Sequence, residues 1–264
     1  MPPPVKVRAC TYNLREGGLD GPAGKPRDES RLQEQIALLA SLDLDLIGLQ
    51  EANWGSGSDA EDRLARVAEQ LGMRWSLLGR SNLYGCHLAA LVRESDNLTV
   101  EDAEHLTGSP WVHTLLNVTL RVAGRPRPLH FLVGHSAPSS PAMRLAEAEM
   151  ATVHKHLDVI YVADFNAAAL TDDPDTTGID PVKALQKLDT RPARTLAGAG
   201  LSDVGALMND PTPSVGHDDD KLTYRCDRIH TTLPPEWITG YGVVPNADDL
   251  SDHRAVWAEF TPSS

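Results

Sequence analysis

Asn13, Glu51, His135, Asp164, Asn166, Asp227, Asp252 and His253 are residue types that bind hard cations, hold water or move protons, and each stands at the edge of a predicted strand. In chain order the motifs read TYN, LQE, GHS, ADFN, CDRI and SDH. Phosphate-ester hydrolysis is a reaction that would use such a set. Water is a poor nucleophile, the phosphoryl group is anionic, and the departing alkoxide is a strong base. A hard divalent cation answers the last two problems and takes carboxylate and amide oxygens, which Glu51, Asp252, Asp164, Asn166 and Asn13 can offer. An imidazolium, from His135 or His253, can donate to phosphoryl oxygens and deliver a proton near neutral pH. Asp227 beside His253 would fix its tautomer and favour its charged form. Singly, each residue has an ordinary explanation: His135 as a satisfied buried histidine, Asn13 as a turn former after a strand. Their ordered company is what points to chemistry.

The elements that must position these residues follow from periodicity. Alternation predicts a strand from Val5 to Tyr12 that ends at Asn13, then a glycine-rich loop through Gly17, Gly18, Gly21, Pro22 and Gly24. Helical spacing of Leu32, Ile36, Leu39 and Ala40 predicts a helix over Asp28 to Ser41, and the apolar run LDLIGLQ then delivers Glu51. A second helix is expected over Asp59 to Leu71. Four strand-like segments follow: Arg74 to Leu78, Cys86 to Val92, Val112 to Val122 and Pro128 to Gly134. A helix over Ser140 to Leu157 has Pro141 in its first turn and Met143, Ala146, Met150 and Val153 along one side. VIYVA returns as a buried strand ahead of Asp164. An acidic loop over Thr171 to Pro181, a helix over Val182 to Leu188 and a polar loop over Asn209 to Lys221 come next. Strands are expected over Leu222 to Thr231, Trp237 to Val243 and Arg254 to Phe260. Strands in two batches, each with its own helices, fit two packed sheets better than one parallel sheet. The expected fold is therefore α/β (α+β): a four-layer αββα sandwich of two mixed sheets flanked by helices, formed by residues 1–264 as one domain.

Composition narrows the class. With 41% hydrophobic and 23% charged residues the chain can build a full core. The 24 Lys+Arg against 37 Asp+Glu give a net charge of −13, which opposes a non-specific grip on polyanions and leans towards small substrates. Cys10, Cys86 and Cys226 are odd in number and widely spaced, so they read as reduced core residues rather than a disulfide or zinc framework. No signal-peptide core or membrane-length apolar run is present, so a cytoplasmic protein without membrane insertion is expected, and a monomer.

The ordered motifs, from TYNL near the start to SDHRAV near the end, resemble the endonuclease/exonuclease/phosphatase superfamily, which has the deoxyribonuclease-I-like fold. The resemblance spans nearly the whole chain. It implies Asn13, Glu51 and Asp252 as the metal group, with Glu51 the principal ligand and Mg²⁺ (or Mn²⁺) the cofactor. It also implies His135 stabilising or protonating around the phosphoryl group, Asp164 aligning or deprotonating the attacking water, and Asn166 holding that water or a phosphoryl oxygen. Asp227 and His253 match the family's Asp/His pair, with His253 on the phosphate. AP endonucleases carry an acidic residue two places after the motif Asn, where this chain has Arg15. That change removes one candidate ligand and adds a planar fork for phosphate, favouring one metal and an exposed phosphate on the substrate. Ala163 stands where relatives have the Gly of GDFN, a change that a strand end with negative φ absorbs.

The expected activity is a metal-dependent phosphoester hydrolase acting on a small molecule or a nucleic acid, with the small molecule favoured. The alternative is a superfamily scaffold turned to binding or to a non-hydrolytic reaction. Outside the motif set, Arg144 and the His154/Lys155/His156 run read as a solvated helix face, and His217 to Lys221 (HDDDK) as an acidic surface turn. Trp54, three residues after Glu51, is read as pocket wall or core, and Arg228 as a phosphate contact or a surface charge.

Overall fold

Two strand–helix–strand units, one in each half of the chain, set the centre of each layer. The computed structural model describes residues 5–22, 26–217, 222–245 and 247–261. Within these residues the order is β1 (Val7–Asn13), α1 (Ser30–Ala40), β2 (Leu46–Gln50), α2 (Ser58–Gln70), β3 (Trp75–Gly79) and β4 (Leu88–Val92). Then come β5 (Leu98–Leu106), β6 (Leu115–Val122), β7 (Leu129–His135), α3 (Pro141–Ala151) and β8 (Asp158–Asp164). The remainder is α4 (Pro181–Lys187), α5 (Arg191–Gly198), β9 (Ser202–Asp203), α6 (Val204–Leu207), β10 (Asp227–Thr231), β11 (Ile238–Val243) and β12 (Val256–Phe260).

The strands form two six-stranded sheets, ordered β11-β12-β1-β2-β4-β3 and β5-β6-β7-β8-β10-β9. Only β1/β2 and β7/β8 run parallel; every other pairing is antiparallel. Inward-facing residues of both sheets, among them Val7, Ala9, Leu46, Phe131, Val133, Ile160, Val162 and Ile229, make one apolar layer between them. Gly48 lets the sheets meet at the centre, because a Cβ there would lie 2.5 Å from Val162 Cγ2. On the outer face of the first sheet, Leu32, Ile36 and Leu39 of α1 and Leu64 and Val67 of α2 pack against Cys10, Tyr12, Ile47 and Leu49. On the second, Ala148 and Ala151 of α3 and Leu196 of α5 cover Leu132, Val159 and Tyr161. This is the expected αββα sandwich.

Several elements differ from the sequence expectation. The strand β5 carries no clear alternation in LTVEDAEHL, because it is an edge strand with half its side chains in solvent, and its place is fixed by pairing to β6. α5 is masked in the sequence by Pro192, which occupies its first turn, and by the glycines at its end. The segment expected as a strand from Leu222 is a strand only from Asp227 onward.

The helix expected over Ser140 to Leu157 ends at Ala151 in a 3₁₀ turn, and it is rotated relative to the expected apolar side. Met150 and Val153 are 42% and 64% exposed, whereas Arg144, Glu147, Ala148 and Ala151 are buried. Arg144 is thus not on a solvated face. Its guanidinium donates to the carbonyls of Ala137 (2.9 Å), Pro138 (3.3 Å) and Gln186, while Glu147 accepts from the N–H groups of Val112 (2.8 Å) and Ala137 (2.9 Å). The polar pair ties loops to the helix, a role that outweighs the pull of the methionines. His154 is buried too, and Lys155 and His156 are exposed as expected. The HDDDK turn falls, beyond His217, outside the described residues.

Candidate functional site

The carboxyl ends of β1, β2, β7 and β8 lie at one edge of the sandwich, the usual ligand-facing edge of parallel strands. β10 and β12 run antiparallel to β8 and β1, so their first residues, and the segment before β12, arrive at the same edge. Side-chain parity does the rest. Asn13, His135, Asp164 and Asp227 continue the alternation of the inward-facing core residues Ala9, Val133, Val162 and Ile229, so all four point between the sheets. There the apolar layer gives way to a polar one.

Asp164 is its hub. Its Oδ2 accepts from Asn13 Nδ2 at 3.0 Å and faces His135 Nε2 at 3.5 Å and His253 Nε2 at 3.9 Å. Its Oδ1 accepts from the backbone N–H of Asn166 at 2.8 Å and from Cys226 Sγ at 3.1 Å. Burial opposes a charge on this carboxyl, which is 1% exposed, but the imidazoles of His253 and His135 and the two hydrogen bonds hold it well below the usual range. His253 Nδ1 lies 2.8 Å from Asp227 Oδ2, which also accepts from Ser214 Oγ at 2.7 Å. Burial works against an imidazolium at His253, yet Asp227 and Asp164 push its pKa up to about 10. Between two carboxylates the imidazole therefore carries its proton at neutral pH.

The other half of the site is built from left-handed backbone. Glu51, directly after β2, has φ 53°, and Arg15 and Glu16 have φ 51° and 56°. The turn is clamped by Trp54, whose Nε1 donates to Gly17 O at 2.8 Å; a Cβ on Gly17 would sit 2.8 Å from that ring. Trp54 is therefore a buried brace of the loop carrying Arg15. Glu51 Oε2 accepts from Glu16 N at 2.9 Å, and Oε1 faces Asn13 Nδ2 at 3.5 Å. The amide oxygen of Asn13 accepts from Arg15 N at 2.9 Å, while its Nδ2 bridges the carboxylates of Glu51 and Asp164. Ser251 Oγ donates to Asn13 O at 2.8 Å and accepts from His253 N at 3.2 Å, which fixes the segment bearing Asp252 and His253 beside β1. Neither Glu51 nor Asp252 has an ion-pair partner among the described residues, and a carboxylate without a cationic side chain beside it is the type of donor that a hard divalent cation takes. The Arg15 side chain is exposed and its guanidinium has no hydrogen-bond partner among the described residues.

Asn166 sits at φ 48° after β8, its Nδ2 donating to Ser136 O at 3.1 Å and its Oδ1 accepting from Lys187 Nζ at 3.0 Å. Lys187, at the end of α4, is a member of this constellation that sequence reasoning missed; a lysine ending a helix carries no distinguishing signal. His113 was also missed. Its ring stacks on His135 with centroids 4.3 Å apart, and burial, followed by the neighbouring His135, pushes its pKa down to about 3. Ser214 and Ser251 complete the set, the latter inside the SDH motif itself. Arg228 is neither a phosphate contact nor a surface charge. It is buried against Phe165, 4.5 Å from the ring centroid, and donates to the carbonyls of Ala167 and Arg225.

No protein-family model matches the chain, and no curated protein matches it in sequence. Solved structures do match. An endonuclease/exonuclease/phosphatase from Bacteroides vulgatus superposes with a TM-score of 0.72 at 13% identity, covering 98% of this chain and 100% of that one. A humanized D. rerio TDP2 gives 0.65 at 15% identity, with 97% and 99% covered. The human Nocturnin catalytic domain, solved with a sulfate anion, gives 0.64 at 13%, with 97% and 93% covered. At these identities the likeness is one of fold, and the chain has the endonuclease/exonuclease/phosphatase fold that the motif order led us to expect.

Proposed function

We propose that this chain is a Mg²⁺-dependent phosphoester hydrolase that works by in-line attack of a water on phosphorus. The observation that carries the reading is the Asp227–His253–Asp164 line, a protonated imidazole between two buried carboxylates, which Asn13 links to the Glu51 carboxylate and which has Asp252 next to it in the chain. Glu51 and Asp252 would hold the ion, oriented by Asn13, and the ion when bound would neutralise phosphoryl charge and stabilise the leaving oxygen. Asp164, kept ionised by its neighbours, aligns the water and accepts its proton at Oδ2. Asn166, steadied by Ser136 and Lys187, orients that water or a phosphoryl oxygen. His253 donates to the phosphoryl group, with Asp227 holding its ring in place, and His135 donates from the other side.

A small phosphoester is favoured over a nucleic acid. The net charge of −13 and the free guanidinium of Arg15 support a compact substrate with an exposed phosphate. A specific observation keeps nucleic acid in play: the fold neighbour D. rerio TDP2 has also been solved with a single-strand DNA product. Salt separates the two, since a nuclease neutralising several phosphates loses affinity steeply with ionic strength and an enzyme of small esters does not. The direct test is an assay with Mg²⁺, Mn²⁺ or EDTA against plasmid DNA, an RNA oligomer, bis-p-nitrophenyl phosphate and a panel of phosphomonoesters. Metal-dependent turnover abolished by Asp164→Ala is the expected result. Silence across the panel would refute the hydrolase and favour a scaffold turned to binding.

A further inference from the structure

One corner of the site contains a ligand set unsuited to the ion that Glu51 and Asp252 would hold. A carboxylate oxygen of Asp164, Cys226 Sγ and a ring nitrogen of His253 lie within 4.8 Å of one another. A thiol is a soft ligand with no place around Mg²⁺, whereas thiolate, imidazole and carboxylate together suit tetrahedral zinc, with an open fourth position for water. The outer ligands are in place as well. His253 turns Nε2 towards Asp164 and engages Asp227 through Nδ1 at 2.8 Å, the carboxylate–histidine pairing that orients imidazole ligands to a metal. Asp164, Cys226 and Asp227 are all buried, so the set is fixed by packing and not by exposed, mobile side chains.

We propose that Asp164, Cys226 and His253 form a zinc site, separate from the Glu51/Asp252 pair, whose occupation shuts the proton-accepting half of the site. Binding balances in charge: one dication enters, and the Cys226 thiol proton and one imidazolium proton of His253 leave to solvent. Asp164, once bonded to zinc through a carboxylate oxygen, no longer accepts a proton from water. The tetrahedral spacing between a zinc-bound sulfur and nitrogen is roughly 3.5 Å, so from within 4.8 Å the side chains need to close by at most about 1.3 Å.

The test uses Co²⁺ as an optical probe of the full chain, because a cobalt–thiolate bond gives an intense near-ultraviolet charge-transfer band. Titration of the wild type and of Cys86→Ser, which removes the one partly exposed cysteine, Cys10 and Cys226 being buried, should produce the band. Zn²⁺ should compete it away and Mg²⁺ should not. Cys226→Ser should abolish it with the circular dichroism unchanged, and Asp227→Asn should weaken Zn²⁺ binding by about 10–100-fold. X-ray absorption on zinc-loaded wild type needs no variant and should show one sulfur at about 2.3 Å. A band missing from the wild type, a band retained by Cys226→Ser, or a sulfur-free zinc shell would each overturn the site. These readouts need no substrate, so the zinc site and the hydrolase reading fail separately. Where turnover is measured, Zn²⁺ should inhibit in the presence of saturating Mg²⁺, and unchanged turnover by zinc-loaded protein would overturn the inhibitory role.

Discussion

The two sheets share one plan at their centres and end in different chemistry. In each, a parallel pair joined through helix, β1/β2 or β7/β8, is flanked on both sides by antiparallel strands. The first pair opens into residues of positive φ, Arg15, Glu16 and Glu51, which hold carboxylate oxygens at a half-exposed rim. The second pair ends in His135 and Asp164, only 5% and 1% exposed and tied to other ionisable groups. One scaffold thus yields a wet half suited to a cation and a dry half in which burial and paired charges set protonation. Asn13 is the hinge between them, donating to Glu51 and Asp164 at once.

Breaking the dry half should cost most. Asp164→Ala removes the proposed proton acceptor and the anchor of five neighbours, and a fall in kcat of about 10²–10⁴-fold is expected in steady-state assays with folding intact by circular dichroism. Retained activity would sink the assignment. Breaking the wet half should look different: Glu51→Gln should weaken Mg²⁺ affinity by about tenfold or more, read as an activation curve shifted to higher Mg²⁺, with partial recovery at high Mg²⁺. The comparison sharpens with Asp227→Asn, which removes the first of the two carboxylates that raise His253. Its pKa should drop from about 10 towards the ordinary imidazole value, followed by NMR of the ring carbon, while Glu51→Gln leaves that titration in place. The sign carries over to stability. Because the folded pKa of His253 is raised, the pair stabilises fully below the unfolded value of about 6.5 and the contribution is lost as pH rises through about 10. Asp227→Asn should flatten that alkaline slope in thermal melts.

Much of this geometry was legible because it depends on period and order. A strand's alternation fixes which side of the sheet its last residue faces, so apolar runs ending in Asn13, His135 and Asp164 already place them on the core-facing side. What sequence could not give was set by distant contacts. Lys187 and Ser214 reach the site through loops whose course no periodicity records, and Cys226 gains its meaning only from the approach of Asp164. Arg144 shows the limit most clearly, because a hydrophobic stripe through Met143, Met150 and Val153 predicts the wrong buried face when loop carbonyls require a guanidinium. Arg144→Leu should leave three carbonyls without their donor and lower stability by roughly 2–4 kcal/mol in denaturant titration, whereas Met150→Gln on the exposed side should stay within about 0.5 kcal/mol. Equal effects of the two would restore the methionine face.

The smallest effect on turnover should come from Lys187, and it tests how the dry half holds the amide proposed to orient the water. Its ammonium donates to Asn166 Oδ1, which leaves Nδ2 for Ser136 O and so sets which way the amide points. Loss of one such charge-assisted bond from a partly exposed lysine is worth about 1–2 kcal/mol, so Lys187→Ala should reduce kcat by roughly 5–30-fold. If the lysine acts through Asn166, KM should change little and Lys187→Gln, which keeps a donor without the charge, should recover part of the loss. If instead the ammonium meets the substrate's phosphate, KM should rise, Lys187→Gln should recover nothing, and added salt should narrow the gap between wild type and variant. The first pattern is expected, because the one hydrogen bond that Lys187 Nζ makes among the described residues is to the amide, which already ties it to the strand end bearing Asp164.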